Sequence, residues 1–580
     1  MARLILSLVF FLLLIAVLLL LPGVQTFVAR QATNVIAGRT ETEVSIEKIG
    51  IRLPNRVGLR GLYVEDIYGD TLVYAGELDV KVRIFSLLRN QVMVENLSLA
   101  DVSVNIIRVK PDSLYNFDHL IQAMAGGQEN NKGNEVLQEE MDPDEVSQKP
   151  GWTFDLGKIT LDNIRFRLAD HYTGMDLNLS VNHLDVEPNE VDLQHLNFDL
   201  DHFFLDGMIA EIIMSSQNHQ KENTESTHAI SDVENSSGFS FHWGKIMPIS
   251  LNANELQFRN GSFSLKTRGD DTPKTDRFDP ANFRLQGLDI QLSDLLVAPD
   301  TLVGNLQHLG FSMPESFELV SFSSQLALGE EVNISGLRFE TGESLVEADI
   351  ISSIPVLNLK TPLDPKHSLD LSAPLIRLGR DLAFFVPAIN DMFPEGQVRA
   401  PEVAIGAGGT FEEMKVRNIN ALFENRVQLD VTNALVKNLT DMDSFYLDMP
   451  DFVLATNPES LSKTFPELFP SGIQMPDTLI LNLGLDGYFH DLNADASVFS
   501  SFGDIQASFN FSDREGFDPE WSLMMQMKSA HPLEITGQPD LLRDLALTAE
   551  ASGEGFDPET LAAELKVRID SVWFNYYHYK

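Results

Sequence analysis

After Thr40 the chain reads as short runs in which apolar and polar positions alternate, rich in Val, Ile, Leu and Phe and punctuated by Gly, Asn, Asp and Pro. A period of two is the signature of half-buried β-strands. One eight-residue pattern returns, ΦxΦxxΦxΦ, with Φ apolar and usually Gly, Asn, Asp or His just before the third Φ. It runs from Val57 to Val64 with Gly61, from Leu97 to Val104 with Asp101, and from Ile159 to Phe166 with Asn163. Further copies run from Val191 to Phe198 with His195, from Phe283 to Ile290 with Gly287 and from Val332 to Phe339 with Gly336, and a degenerate one from Met414 to Ala421 with Asn418. An extra residue inside strict alternation turns the apolar side chains to the wrong face unless the backbone kinks or bulges there. Gly, Asn and Asp tolerate the left-handed conformation such a kink uses. The pattern therefore predicts sharply bent strands that keep one apolar side, and its recurrence predicts a repetitive, elongated sheet.

A longer repeat points the same way. Gly409-Thr410-Phe411-Glu412-Glu413-Met414-Lys415-Val416 aligns with Gly487-Tyr488-Phe489-His490-Asp491-Leu492-Asn493-Ala494. Phe393-Pro394-Glu395-Gly396 precedes the first and Phe469-Pro470-Ser471-Gly472 the second, each after a helix-like stretch, Arg380 to Met392 and Pro458 to Leu468. Units of this kind stack to bury a face that none buries alone. Three polar stretches, Gly126 to Gly151, Ser215 to Gly238 and Gly269 to Pro280, lack apolar periodicity and read as loose or disordered loops. Leu114 to Ile121 reads as a strand end feeding a short helix to Met124.

The N-terminus breaks the β pattern. Leu4 to Leu21 is uncharged with Ser7 as its one polar side chain, and Arg3 precedes it. A helix of this length reaches the lower limit for spanning a bilayer, and the positive residue on the short side keeps the N-terminus cytoplasmic. The anchor positions are Leu4, Phe10, Phe11, Leu14, Val17 and Leu21. A cleavable signal peptide is the alternative; no small-x-small pair directly follows the apolar core.

Composition narrows the chemistry. The formal net charge is -43, which argues against nucleic acid and against docking on anionic headgroups by charge. There is no cysteine, so disulfides, thiol nucleophiles and thiolate metal sites are excluded. No phosphate loop, GxSxG elbow or HExxH helix is present, and no catalytic, metal or cofactor residue is assigned. Asp199-Leu200-Asp201-His202 puts two carboxylates on one strand face, and Asp441 with Asp443 reads as a loop without the downstream glutamate of a calcium site. Phe, at 37 copies, outnumbers Tyr and Trp together, which suits a greasy surface more than a carbohydrate platform.

Several segments together resemble the AsmA-like superfamily and, within it, TamB-type translocation and assembly module proteins of the Bacteroidetes kind. They are Pro22 to Phe27 after the anchor, Thr42 to Ile46, Gly58 to Asp66, Gly69 to Gly76, Val94 to Leu97 and the Leu114-Tyr115-Asn116-Phe117 turn. The resemblance covers the first 125 residues well and the Phe-Pro-x-Gly repeats loosely. It implies a mostly β fold: an elongated, repetitive open β-groove, a taco-like sheet with a few short helices behind an N-terminal transmembrane helix. It further implies a single-pass inner-membrane protein with its body in the periplasm, no enzymatic activity, and phospholipid transport to, or protein assembly in, the outer membrane. Phospholipid and an outer-membrane β-barrel of the TamA or BamA kind are the implied partners, the latter through a terminal domain beyond Lys580. The expected division is an anchor over 1–22, an N-terminal β domain over 23–125, loops over 126–151 and 215–238, groove segments over 152–214 and 239–370, and repeated groove units over 371–580. Candidate groove positions are Leu59, Leu62, Val64, Leu97, Leu99, Ile159, Leu161, Phe166, Leu288 and Ile290. A β-sandwich adhesin and a β-rich hydrolase are the rival readings.

Overall fold

The alternating runs fold as strands. The computed structural model describes residues 42–52, 55–83, 86, 91–109, 114–118, 153–192, 196–215, 249–268, 277–359, 363–392, 401–423, 427–456, 460, 476–513, 518–531, 542–555 and 562–580. The anchor positions, both Phe-Pro-x-Gly repeats and most of the three polar stretches lie outside the described residues. Of the polar stretches, Ser215 closes a strand and Phe278 packs on Phe283 with ring centroids 5.6 Å apart. Among the described residues, no helix is long and apolar enough to cross a membrane.

The chain divides into two compact units. Met1–Glu225, Ile249–Val297 and His308–Glu315 form the first; Ser226–Pro248, Ala298–Gln307 and Ser316–Lys580 form the second.

The strands of the first unit are β1 Val44–Arg52, β2 Arg56–Glu65, β3 Thr71–Val82, β4 Gln91–Arg108, β5 Thr153–Asp170, β6 Met175–Asp192, β7 Asn197–Asp206, β8 Ile209–Ser215, β9 Ser250–Arg268 and β10 Phe283–Ala298. β1 to β4 pair in sequence and antiparallel, β5 lies parallel to β4, and β6 returns antiparallel to β5. β7 and β8 line up end to end along β6, β9 runs parallel to both, and β10 is antiparallel to β9. β11, Thr301–Met313, is divided between the units.

The second unit continues with β12 Phe317–Leu328, β13 Val332–Thr341, β14 Leu345–Ser352, β15 Ser368–Arg377, β16 Glu402–Thr410, β17 Glu413–Leu422, β18 Gln428–Lys437, β19 Tyr446–Thr456 and β20 Leu479–Tyr488. It ends with β21 Asp491–Ser500, β22 Gly503–Ser512, β23 Glu520–Ala530, β24 Leu542–Glu554, β25 Ala562–Phe574 and β26 Tyr577–Tyr579. From β12 to β26 each strand pairs antiparallel with the next. Such a meander extends one sheet through short local turns. The helix-like stretch after β15 is two 3-10 turns, Arg380–Phe384 and Pro387–Met392, with Phe385 edge-on to Phe317 at 4.8 Å.

The eight-residue pattern has a backbone counterpart. Gly61, Asp101, Asn163, Gly287 and Gly336 all have φ between 54° and 60°. Two copies differ from expectation. Val191 to Phe198 is no bent strand: Val191 and Asp192 end β6, Asn197 and Phe198 begin β7, and the left-handed residue described between them is Leu196. In the degenerate copy the ladder to β16 slips at Arg417, while Asn418 stays paired with Gly406. The long repeat is one hairpin used twice. β16–β17 and β20–β21 turn at Gly409 (φ 150°) and Gly487 (φ 140°), where an added Cβ would meet the carbonyls of Glu413 and Asp491 at 2.2 and 2.1 Å.

The Leu114 segment is a clamp, not the strand end expected: Tyr115 bridges to Arg108, and buried Asn116 binds both main-chain groups of Ile107. Its Nδ2 donates to Asp66 Oδ2 at 2.8 Å and to the Asn105 carbonyl at 3.1 Å. The expected helix beyond it lies outside the described residues.

Candidate functional site

The kinks of the first unit fall on one line across the strands. Gly61 of β2 lies opposite Gly76 of β3, Gly76 opposite Asp101 of β4, and Asp101 beside Asn163 of parallel β5, each between two paired neighbours. The line continues through Asn182 of β6, Gly207 between β7 and β8, and Asn260 of β9 to Asp289 of β10. At the other end Glu47 of β1 lies opposite Gly61. The side chains knit this line into a polar spine. Asn163 Nδ2 donates to Asp101 at 2.5 Å, Asn260 Nδ2 to Asp206 at 2.7 Å, and the Asn260 N–H to Asp289 at 3.1 Å. Its glycines make room for neighbouring side chains, since a Cβ on Gly61 would meet Glu47 Cγ at 2.5 Å and one on Gly207 would meet Asn182 Nδ2 at 2.0 Å.

The left-handed residues Gly61, Asp101, Asn163, Gly207 and Asn260 belong to strands that run one way; antiparallel β3 and β6 answer with Gly76 and Asn182. Bends aligned in this way fold the sheet along a crease parallel to the direction in which strands add.

Apolar rows flank the spine. Ile49 pairs with Leu59, Leu59 with Leu78, Leu78 with Leu99, and Leu99 with Leu161. Leu161 then pairs with Leu184, Leu184 with Leu205, Leu205 with Phe258, and Phe258 with Ile290. A second row, two residues further from the spine, carries Leu97 and Ile159 between Val57 of β2 and Leu292 of β10. Across the spine, Val64 and Phe166 belong to a row from Val44 of β1 to Leu285 of β10. Leu62 belongs to one from Ile46 to Val181, and Leu288 pairs with Gly261.

The ten candidate positions thus meet on one face, and all ten are half-buried. Ile49, Leu205, Ala75 and Val181, which flank the spine, are buried. Side chains shield one another most on the inside of a bend, so the apolar rows line the inner face of a groove. A closed sandwich core would instead bury most of its inward side chains.

The adjacent residues carry the opposite polarity, as alternation requires. Arg60 meets Glu77 at 2.8 Å, Asp162 meets His183 at 2.6 Å, and Lys158 meets Asp185 and Glu187 at 2.6 and 2.9 Å. The hydrogen bond to Asp185, then the one to Glu187, raises the Lys158 pKa. Exposed pairs of this sort contribute little to stability, and their effect here is to keep the outer face wet. Asp199 and Asp201 accept from Asn189 and Asn254 at 3.1 and 2.8 Å, while His202 faces Glu255 at 3.3 Å. Asp441 accepts from the Ser444 hydroxyl and the Asp443 N–H, which hold its carboxyl below the ordinary range and cap a turn.

The second unit has its own rows. One runs from Phe322 of β12 through Phe339 and Val346, then Val403, Leu454 and Val498, to Ile569 of β25, crossing fourteen strands.

Residues 1–272 match the AsmA family. Over these residues, just under half of its length, the chain is AsmA-like. The family is associated with outer-membrane assembly and lipid transport. No curated protein and no solved structure matches the chain.

Sequence reasoning missed part of this AsmA-like groove. Phe203 to Ala210 with Gly207, Ile290 to Val297 with Asp294, and Leu429 to Val436 with Asn433 are further copies of the eight-residue pattern, each with φ above 50° at the named residue. The signal was present in their spacing. Leu78 and Leu184 were hidden because on β3 and β6 the special residue follows the second Φ, the mirror order that antiparallel strands impose.

Proposed function

We propose that this AsmA-like protein is a non-catalytic, TamB-type conduit for phospholipid. Residues 4–21 hold it in the inner membrane with the N-terminus cytoplasmic, and the body in the periplasm carries lipid toward the outer membrane. A single observation carries the reading: apolar rows cross nine successive strands of the first unit without a polar interruption. Eight strand spacings of ~4.8 Å give a track of roughly 38 Å, against about 15 Å for the acyl chains of one leaflet. Each methylene removed from water gains about 0.8 kcal/mol wherever it lies on the row, so a chain slides along it over small barriers. Headgroups stay in water along the open mouth.

Transfer of this kind makes and breaks no bond, so the proposal assigns no catalytic residue and no cofactor. Assembly of outer-membrane proteins, with a barrel partner, is the other activity the family suggests. The test is mass spectrometry of phospholipid bound to the gently extracted full chain. Leu97→Glu and Phe166→Glu are expected to lower bound lipid severalfold, and Arg165→Glu on the opposite face to leave it unchanged. Absence of bound lipid from every preparation overturns the reading.

A further inference from the structure

One rim of the first unit carries apolar tips that no strand among the described residues covers. Ile67 and Tyr68 in the β2–β3 turn are 50 % and 52 % exposed, Leu114 is 54 %, and Tyr172 in the β5–β6 turn is 53 %. Met214, beside them at the end of β8, is 48 % exposed. Exposed turns are usually polar, so apolar side chains on three neighbouring turns call for a partner.

These tips are held rigid. Asp66 accepts from the N–H groups of Tyr68 and Asp70 at 2.9 Å each and from Asn116 at 2.8 Å, which ties the first turn to the second. The Arg108 guanidinium lies between the Tyr115 and Tyr172 rings, 4.8 and 5.0 Å from their centroids, and donates to Asp170, which ties the second to the third. Ser215 N–H donates to the Gly174 carbonyl at 2.8 Å, joining β8 to the same rim. Arg108 and Asp170 form an ion pair with little solvent access, so these two groups add no net charge to the rim.

The chain arrives at this rim. Glu43 exchanges hydrogen bonds with Glu65 at 2.9 and 3.1 Å, and Glu65 is one residue from the first turn. In sequence, the uncharged run Leu4 to Leu21 ends 22 residues before Glu43. Even fully extended, that connection reaches at most about 75–80 Å, and one helical in part reaches far less.

We propose that this rim docks on the bilayer interface, with Ile67, Tyr68, Leu114 and Tyr172 inserted at headgroup level of a zwitterionic membrane. Aliphatic tips gain from burial in the acyl boundary, and tyrosine rings settle at the headgroup level. A net charge of -43 makes an anionic surface the wrong partner. The inference rests on the anchor reading for its choice of occupant, and on the structure for the rim. It adds a consequence: the row from Ile106 and Leu168 to Phe283, the apolar row nearest this rim, would open beside lipid.

The absence of cysteine makes the test clean. The full chain, reconstituted in phosphatidylcholine vesicles, receives a single environment-sensitive label at Ile67→Cys, Leu114→Cys or Tyr172→Cys. Controls are Asn55→Cys on the opposite rim and Gln25→Cys close to the anchor. A nitroxide-bearing phosphatidylcholine is the quencher. Quenching at the three tips several times stronger than at Asn55→Cys is expected, and Tyr68→Asp with Leu114→Asp should abolish it at Tyr172→Cys. Quenching at Gln25→Cys with none at the tips overturns the docking while the anchor reading stands, whether a protein partner or residues 119–152 cover the rim instead. No quenching at Gln25→Cys removes the anchor and the docking together.

Discussion

The two units build the same kind of inner surface on different backbones. In the first, the spine crosses every strand from Glu47 of β1 to Asp289 of β10, and the rows beside it are Leu, Ile, Val and Phe. In the second, ladder interruptions recur from β12 to β20, at Gly336, Pro374, Arg417 and Pro450, are absent from β20 to β23, and return between β23 and β25 around Asp544. β20 to β23 pair residue for residue, and their apolar face carries Ala494, Ala496 and Ala507. The fourteen-strand row crosses both stretches unbroken. Pairing register therefore lays the track, while the kinks shape its cross-section.

The largest effect should come from the repeated hairpin. Gly409→Val and Gly487→Val each drive a branched side chain into a backbone carbonyl, and each should cost about 3 kcal/mol or more, read by hydrogen exchange on the strands they join. A large difference between them would show that the two hairpins are not equivalent. Next comes Asn116→Ala, which leaves Asp66 and the main chain of Ile107 short of partners and should cost about 2–3 kcal/mol. That loss should register on β2 to β4 and leave β20 to β23 untouched.

A smaller contrast compares the kinks themselves. Gly336 has open space around its missing Cβ, so Gly336→Ala should cost only the left-handed penalty of about 1–2 kcal/mol. Gly61→Ala adds contact with Glu47, so it should cost more, and Glu47→Ala should recover the excess. Equal costs for the two glycines would mean that the spine is not packed as described.

The smallest effect concerns pH. Arg108 above all, with Thr173 and the Tyr172 N–H, holds the Asp170 carboxyl well below the ordinary carboxylate range. A depressed folded pKa stabilises above the unfolded value of about 3.9 and is lost as pH falls through the folded one. Protection of β4 and β5 should therefore decline as pH drops below about 4, and Asp170→Asn should flatten that decline.

Much of this architecture was legible because alternation and its interruption are local. Gly61, Asp101 and Asn163 announce their kinks through residue type and spacing alone. What the chain could not announce is partnership. That β5 lies parallel to β4 across residues 109–152, or that β7 and β8 act as one strand on β6, depends on pairings remote in sequence. The copy from Val191 to Phe198 misled because the end of one strand followed by the start of the next can carry the same spacing as a kink within one. The spine was invisible for the same reason: each member is an ordinary Gly, Asn, Asp or Glu until register sets them side by side.

The most direct test of the central claim uses alternation as its own control. A benzophenone amino acid is placed in the full chain in cells at Leu161 or Leu184, on the row, and at Asp162 or His183, one residue away on the outer face. Irradiation should yield phospholipid adducts at the two row positions and not at their neighbours. Equal yields on both faces, or none on the row, would contradict the account.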